Sequence, residues 1–363
     1  MKKAALILMV LLLGTVLYAQ NSSVPANLAY EIVDGKSVTI TRYTGGARTL
    51  NIPGQIEGLP VTAIGDLVFP SYTNLTSVTL PSSVTSIGDR AFEGCTNLTG
   101  ITVDSNNPVY ASVDGVLFDK SMRTIILYPR GKQAETYAIP SSVTSIGDSA
   151  FNWCWNLKNV TIPSSVTSIG DKAFNVCGGL TSVTIPSSVT SIGNNAFAGC
   201  RSLTNLTIPA SVISIRDRAF VSCDSLTDIT VDSSNPAYAS VDGVLFDKAI
   251  QTIIAYPVGK QAVTYVIPSS VRSIGNSAFW RCSNLTSISI PTSVRSIGDH
   301  AFYGCKSMTS VAIGSSVTVI GDNAFESCSS LTNITIPSSV TSIGNSAFSQ
   351  CVSLASVTIP SSV

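Results

Sequence analysis

The feature that most constrains this chain is a repeated segment, one copy of which reads LTSVTIPSSVTSIGNNAFAGC from Leu180 to Cys200. Aligned on its proline, the copies recur at steps of 23 residues in two series, Pro140 to Pro209 and Pro268 to Pro360. Repetition at such a period predicts a solenoid, in which a coil buries its apolar residues only by stacking on its neighbours. The fold should therefore be built from one small unit.

Each part of the unit has its own conformational preference. Residues 180–185 alternate as in a half-buried strand, and Pro186 ends that strand because it has no N–H to donate. Gly193 follows two more inward apolar residues and is predicted to form a corner with positive φ. One coil has Arg216 there, which predicts either an accommodating corner or about 1 kcal/mol of strain. Residues 194–200 are predicted to form a short helical turn that closes the coil.

Three submotifs recur together and in order: Leu-x-x-Ile-x-Ile-Pro, Val-x-x-Ile-Gly and Ala-Phe-x-x-Cys. On these submotifs, residues 50–363 resemble the BspA-like, or treponemal, type of leucine-rich repeat. The resemblance implies a β-rich, right-handed solenoid of about a dozen coils with parallel strands and short helical or 3-10 turns. It also implies a secreted or surface-exposed protein that binds extracellular-matrix proteins or other cells.

Two inserts lengthen the repeat in the same way. The prolines that flank each insert are 59 residues apart instead of 23, which predicts inserts at 104–139 and 232–267. Both carry Asn-Pro-x-Tyr-Ala-Ser-Val-Asp-Gly-Val-Leu-Phe-Asp-Lys, from Asn107 and from Asn235, and the Asp-Gly pair predicts a hairpin. Equivalent prolines are 128 residues apart, so a block of one long and three short units has been duplicated. Duplication favours a scaffold over a dedicated active site.

The first residues are typical of a secretory signal. Met1-Lys2-Lys3 precede an apolar run, and cleavage is predicted after Ala19, so that residues 1–19 form a signal peptide. The run is too short for a membrane span, and no second run approaches about 20 apolar residues, so no span is expected after cleavage. Residues 20–49 lack the repeat but alternate like strands, which predicts an N-terminal β cap ahead of the solenoid at 50–363.

The charge balance argues against nucleic-acid binding. Twenty-one Lys and Arg residues offset 21 Asp and Glu residues, so no net field favours DNA, RNA or anionic lipid. With 44% hydrophobic and 12% charged residues, the chain has ample apolar material for a core. The signal sequence predicts export, and the resemblance to the BspA-like family implies a secreted, extracellular or cell-surface protein.

All nine cysteines stand three residues after the phenylalanine of their unit. Disulfides are the first explanation in a secreted chain, but an odd number cannot fully pair and stacked positions hold their Cβ vectors parallel. We interpret the cysteines as a buried ladder of small apolar side chains. Their spacing matches no metal site, so neither a metal nor a cofactor is expected. The cysteines are Cys95, Cys154, Cys177, Cys200, Cys223, Cys282, Cys305, Cys328 and Cys351.

The sequence shows no convincing catalytic constellation. His300 is the single histidine, it stands where the units differ, and it is predicted to be an exposed surface residue. Without a second histidine or a repeated acid pair, Ser-His-Asp and Cys-His catalysis lack their partners. Asp104 and Asp114 could form a carboxylate pair for hydrolysis, but each follows a strand or opens a turn. We therefore expect a protein that is not an enzyme.

Information for a partner has to lie where the units differ, because the repeated residues form the core. Side chains flanking the Phe and Cys of each unit vary most, and all three tryptophans fall there. Trp, Tyr and Arg dominate protein interfaces, although these side chains could also simply shield neighbouring coils. The predicted partner-binding residues are Trp153, Trp155, Trp280, Arg281, Tyr303 and Arg201.

The outward strand positions are mostly Thr and Ser, which the strand preference of threonine explains. A threonine ladder also resembles ice-binding β-solenoids, but this ladder is interrupted at Lys158, Ser289 and Ala312. The leading hypothesis is non-catalytic adhesion of a secreted or cell-surface protein to an extracellular-matrix or cell-surface protein. The alternative is a passive stalk or surface-layer element without a dedicated ligand.

Overall fold

The computed structural model describes residues 27–69 and 73–363. They form a β-solenoid of about 13 turns with parallel strands, which confirms the predicted leucine-rich-repeat architecture. The predicted signal peptide, residues 1–19, lies outside the described residues. Within the described ranges there is no helix, and hence none long and apolar enough to cross a membrane.

The part of the chain before the first insert contains a hairpin and the first coils. Strands β1 and β2 pair antiparallel, β2 pairs parallel with β5, and β3, β6 and β8 form a separate parallel sheet. The strands are β1 (Leu28–Val33), β2 (Ser37–Tyr43), β3 (Thr49–Asn51), β4 (Gln55–Ile56), β5 (Leu59–Ile64), β6 (Ser77–Leu80), β7 (Ser86–Ile87) and β8 (Gly100–Val103).

The first duplicated block contains one seven-stranded sheet, ordered β19-β17-β15-β13-β11-β10-β9, and the shorter sheets β12-β14-β16 and β18-β20. Its strands are β9 (Tyr110–Val113), β10 (Val116–Asp119), β11 (Thr124–Leu127), β12 (Thr136–Ala138), β13 (Ser145–Ile146), β14 (Asn159–Thr161), β15 (Ser168–Ile169), β16 (Ser182–Val183), β17 (Ser191–Ile192), β18 (Asn205–Ile208), β19 (Ser214–Ile215) and β20 (Asp228–Val231).

The second block repeats this arrangement with a seven-stranded sheet, ordered β21-β22-β23-β25-β27-β29-β31, and the four-stranded sheet β24-β26-β28-β30. Its strands are β21 (Tyr238–Val241), β22 (Val244–Asp247), β23 (Thr252–Ala255), β24 (Thr264–Val266), β25 (Ser273–Ile274), β26 (Ser287–Ile290), β27 (Ser296–Ile297), β28 (Ser310–Ile313), β29 (Val319–Ile320), β30 (Asn333–Thr335) and β31 (Ser342–Ile343).

Each regular coil thus contributes two parallel strands, one of two to four residues before the proline position and one of two residues, Ser-Ile in all but β29, before the corner. Equivalent residues pair directly, as Ile169 does with Ile192. In the longer strand β18, Leu206 and Ile208 are buried while Thr207 is exposed. The alternation seen in the sequence therefore decides which side chains enter the core.

The core is divided where the two inserts enter. Phenylalanine rings stack from coil to coil, with ring centroids 4.9 Å apart for Phe151 and Phe174. The stack restarts at Tyr128, whose ring lies 5.2 Å from that of Phe151, and again at Tyr256. Three separate clusters of buried residues result. We call the break between Phe92 and Tyr128 the first seam, and its duplicate between residues 220 and 256 the second seam.

The predicted helical turn is wrong, because residues 194–200 form consecutive tight turns instead. Asn195 and Gly199 have φ of 53° and 73°, which interrupts any right-handed helix. Backbone N–H groups of one coil also donate to the next coil, as Phe174 does to the carbonyl of Ala196 at 2.7 Å. Pairing between coils replaces the i to i−4 bonds of a helix.

The positive φ predicted for Gly193 is also wrong, and close packing explains this glycine. A Cβ at Gly193 would lie 2.5 Å from the backbone nitrogen of Asp171 in the preceding coil. Positive φ occurs two residues later, at Asn195. Arg216 does not have positive φ, and in the preceding coil the Asn194 side chain donates to Asp171 Oδ2 at 2.9 Å. The corner therefore accommodates this arginine without a left-handed backbone.

A buried asparagine connects each insert to the coil before it. Asn107 is fully buried, and its Nδ2 donates to the carbonyl oxygens of Pro81 at 2.9 Å and Val84 at 2.8 Å. Its Oδ1 accepts from the backbone N–H groups of Val109 and Tyr110. Its duplicate Asn235 makes the same four bonds. The sequence showed these residues only as the start of a repeated motif.

The cysteine ladder is confirmed, since all nine cysteines are buried free thiols. Each sulfur lies near a backbone carbonyl 26 residues earlier, as Cys200 Sγ does at 3.2 Å from the Phe174 oxygen. Burial raises the pKa of Cys223 to about 12, so the reactive thiolate is disfavoured. The thiols fill the core and form weak hydrogen bonds to backbone carbonyl groups in it.

Candidate functional site: the variable edge

The predicted partner-binding residues lie on one edge of the solenoid, which we call the variable edge. It is formed in each coil by the residues that flank the buried Phe and Cys. The residue just before the Cys has positive φ in all nine coils: Gly in three of them, Trp153 and Arg281 in two others. Because Gly is the residue that adopts this conformation without strain, a large side chain there is not what the backbone favours.

Trp153 and Trp155 form the first aromatic cluster of the variable edge. Their ring centroids are 5.5 Å apart, and the side chains are 37% and 47% exposed. The Arg130 guanidinium lies 5.6 Å from the Trp153 ring centroid, and its Nε donates to the carbonyl oxygen of Asn152 at 3.1 Å. Trp155 lies against Gly178, where a Cβ would be 3.0 Å from the indole ring. This cluster combines exposed aromatic surface with a fixed cation.

Trp280 and Tyr303 form the second aromatic cluster, which is more buried than the first. Their rings stack at 4.2 Å with an interplanar angle of 18°, and the His300 ring lies 5.6 Å from that of Trp280. The guanidinium of Arg218 lies 5.1 Å from the centroid of the indole ring. Trp280 is therefore engaged by three side chains of its own chain, and less of it is available to a partner.

Arg281 and Arg201 belong to the variable edge but not to either aromatic stack. Arg281 is exposed, and its backbone N–H donates to the carbonyl of Tyr303 at 2.7 Å. Arg201 is exposed and lies 3.6 Å from a carboxylate oxygen of Asp224. Among the described residues, no hydrogen bond, ion pair or ring contact joins Arg201 to either cluster. The structure thus brings four of the six predicted residues together in two aromatic pairs, joins Arg281 to the second pair through its backbone, and leaves Arg201 apart.

His300 is half-buried, so the prediction that it is an exposed surface residue is wrong. Its Nδ1 lies 2.9 Å from Arg218 Nη2 and its Nε2 lies 3.2 Å from Asn323 Nδ2. Burial and then the charge of Arg218 lower the pKa of His300. The Arg218 guanidinium can only donate, so it occupies the acceptor position at Nδ1 and leaves the imidazole poorly placed as a general base.

Two cavities of about 230 and 220 Å³ lie beside the variable edge, one at each seam. They are duplicates, because residues 128 positions apart line them. The first contains Arg90, Glu93, Arg130 and Asn152, and the second contains in their places Arg218, Val221, Val258 and Trp280. Of these four positions only Arg90 and Arg218 are the same residue, so three of the four side chains have changed between the duplicates.

Sequence reasoning missed Arg130 and Arg218, which complete the two aromatic clusters. Neither arginine stands beside a tryptophan in the sequence, because each belongs to a different coil from the tryptophan that it contacts. For Arg130 the available signal was the duplication itself, because its alignment places Arg130 opposite Val258 and Trp153 opposite Arg281. Arg218 stands opposite Arg90, so the alignment gave no such signal for it. Positions that differ in otherwise similar blocks are the ones that the scaffold leaves free.

The variable edge offers contacts for recognition and few groups for catalysis. The nearby thiols are buried, and the only histidine is held by Arg218 and Asn323. Within residues 27–69 and 73–363, no group of three His, Cys, Asp or Glu side chains could hold a metal ion. Aromatic faces, guanidinium groups and amides remain, which are the groups used in binding surfaces.

Comparison with known proteins identifies the same type of repeat. A family model described as the BspA type leucine rich repeat region matches in six copies, over residues 62–129, 129–240 and 259–363. A leucine rich cell surface protein from Faecalibacterium prausnitzii A2-165 is 30% identical, with 94% of this chain and 89% of that chain covered and a TM-score of 0.58.

A second solved structure supports the fold alone. The pneumococcal vaccine antigen PcpA is 23% identical, with 93% of this chain and 80% of that chain covered and a TM-score of 0.54. No protein among those with curated descriptions matches this sequence significantly.

Proposed function

Because this chain belongs to the BspA-type leucine-rich-repeat family, we propose that it acts outside the cell as a non-catalytic adhesin. In this proposal the chain is secreted or held at the cell surface, and it binds an extracellular-matrix or host-cell protein through the variable edge. The signal-like residues 1–19 support export. A surface role is further supported by the similar Faecalibacterium protein, which is described as a cell surface protein.

The observation that carries the proposal is the exposure of Trp153 and Trp155 at positions where the fold needs no aromatic side chain. In the duplicated block, Arg281 and Ser283 occupy the equivalent positions in a coil of the same conformation, with φ of 55° at Arg281 and 65° at Trp153. Stacking of coils therefore does not require these tryptophans. Exposed aromatic surface that the fold does not need is typical of interaction sites.

The duplication also provides a matched variant that tests this site. Trp153→Arg with Trp155→Ser installs the residues of the equivalent coil, so folding should be retained. We expect saturable binding of the wild-type protein to at least one immobilised extracellular-matrix protein, and at least about tenfold weaker binding of the double variant. Trp280→Ala serves as the comparison, because Trp280 is half-buried in the other cluster.

Two results would contradict the proposal. Binding that the double variant retains in full would place the partner elsewhere on the solenoid. Absence of binding to every matrix protein and to host cells would favour a passive stalk or surface-layer element. Export is tested separately by N-terminal mass spectrometry of the protein outside the cells, which should begin after Ala19.

A further inference from the structure

The first aromatic cluster lines a groove on the surface, which we call the tryptophan groove. It has a volume of about 580 Å³, and its lining includes Trp153, Trp155, Arg130, Asn97, Gln133 and Asn156. This volume falls within the range of about 300–1,000 Å³ that is usual for small-molecule sites. The groove therefore has room for a ligand of more than one ring, and the two indoles provide an apolar wall.

Three amides fix the polar character of this groove. The Nδ2 of Asn97 donates to the Thr73 carbonyl, Gln133 Nε2 donates to the Gly131 carbonyl at 2.9 Å, and Asn156 Nδ2 donates to a backbone carbonyl at 3.1 Å. Each amide is thus held by its nitrogen. Its side-chain oxygen has no hydrogen-bond partner within the described residues, so the three oxygens remain available as acceptors.

The same groove also contains donors and a second acceptor group. Arg130 uses its Nε on Asn152, which leaves the terminal guanidinium nitrogens for a ligand. The half-buried Glu93 carboxylate also lines the groove and pairs with Arg90 at its outer side, at 2.5 Å. Donors and acceptors therefore surround an aromatic wall, with charges of both signs.

We propose that the tryptophan groove binds a neutral saccharide, an inference that rests on the function proposed above and names the chemistry of its partner. A sugar ring presents C–H groups on one face, which pack on an indole, and hydroxyl groups at its rim that both donate and accept. The available amide oxygens match hydroxyl donors, and Arg130 matches hydroxyl acceptors. The partner would then be a glycan carried by a glycoprotein or a cell surface.

Other ligand classes fit the groove less well. A cationic side chain would meet Arg130, which already lies 5.6 Å from the Trp153 ring. An anion would meet Glu93 and the amide oxygens. A polyproline segment offers carbonyl acceptors but no backbone N–H donors, so it would leave those oxygens unpaired.

Comparison with the duplicated block shows which of these groups are common to both blocks and therefore belong to the repeated scaffold. Gln261 and Asn284 repeat the anchoring bonds of Gln133 and Asn156, donating at 2.9 Å to the carbonyls of Gly259 and Lys260. The aromatic wall is absent there, because Arg281 and Ser283 replace the tryptophans and Val258 replaces Arg130. The second block thus retains the anchored Gln and Asn side chains but lacks the two tryptophans and the arginine.

The test uses the purified protein and neutral oligosaccharides of glucose, galactose, mannose and N-acetylglucosamine. Intrinsic tryptophan fluorescence should change saturably with at least one of them, and Ile213→Ala, at an exposed position outside the variable edge, should preserve this response. Trp153→Arg with Trp155→Ser should weaken binding at least about tenfold, measured by calorimetry and on a glycan array. Arg130→Val, the residue of the duplicated block, should also weaken binding.

Three results would overturn the inference. The first is that no saccharide binds at millimolar concentration or on the array, and the second is that the double variant binds saccharides as well as the wild type does. The third is that cationic probes such as choline bind in place of neutral sugars. A fourth measurement separates the two proposals. If enzymatic removal of glycans from a bound matrix protein leaves binding intact while the double variant loses it, the groove binds protein, and only the saccharide inference fails.

Discussion

Arg218 Nη2 lies 2.9 Å from Nδ1 of His300, although 82 residues separate them in the chain. The contact crosses the second seam, because Arg218 lies in the coil before the insert and His300 lies two coils after it. Arg218 Nε also lies 3.3 Å from Ser277 Oγ on the far side of the seam. A single arginine thus connects two parts of the core that phenylalanine stacking does not join.

This contact predicts a loss of stability at mildly acidic pH. Burial and Arg218 lower the pKa of His300 below its ordinary 6.5, while the carboxylates of Asp299, Glu326 and Asp322 act in the opposite direction. The unfolded chain therefore binds the proton first, and stability that is full above pH 6.5 declines as pH falls through that value toward the folded pKa.

The measurement is the denaturant midpoint between about pH 7.5 and pH 5.5 for the wild type and for His300→Asn. Asparagine is a suitable replacement because Asn195 and Asn323 occupy the equivalent position with the same positive φ. The variant should lose most of the pH dependence in this window, since His300 is the only histidine. Equal slopes for both proteins would contradict the prediction.

Asn107→Ala should strongly destabilise the first insert. The substitution leaves two carbonyls and two N–H groups without the side-chain bonds that Asn107 makes at 2.8 to 2.9 Å. We expect a loss of about 2–5 kcal/mol, measured by thermal unfolding and by hydrogen exchange of β9 and β10. The matched control is Asn106→Ala at the exposed neighbouring position, which should change stability by less than about 0.5 kcal/mol. Similar effects of the two substitutions would refute the role of Asn107.

Gly193→Ala should reveal close packing between coils. The added Cβ would lie 2.5 Å from the Asp171 nitrogen and from its Oδ1, so one coil must shift away from the other. The expected cost is about 1–3 kcal/mol in unfolding free energy. Gly46→Ala is the control, because a Cβ there would meet no atom within 4 Å and its φ is not positive. A neutral Gly193→Ala would show that the coils separate at no cost.

The cysteine thiols should resist modification in the folded protein. Burial raises the pKa of Cys95 and of Cys328 to about 12, so little thiolate is present at pH 8. An aromatic disulfide reagent should label Cys200 at least about a hundredfold more slowly in the native protein than in denaturant. Cys351, 9% exposed in the last coil, should react first, as identified by peptide mapping. Rapid labelling of all nine would contradict the buried ladder.

Periodicity in the sequence was sufficient to predict the solenoid, because a 23-residue repeat leaves stacking as the only way to bury Val183 and Ile185. It also predicted the buried cysteines from their fixed place after phenylalanine. It failed at residues 194–200, where composition suited a helical turn. Hydrogen bonds between coils stabilise a different backbone there, and a single unit does not show what the neighbouring coil offers.

The two aromatic clusters also separate what the sequence could predict from what it could not. All three tryptophans could be assigned to the variable edge from their place in the repeat, but Arg130 and Arg218 could not be assigned to them. The sequence alone determined the unit, its period and the burial of the repeated apolar side chains, because these follow from alternation and repetition along the chain. Only the tertiary structure decided which side chains meet across a seam and which remain exposed, because those contacts depend on how coils separated by an insert are placed in space.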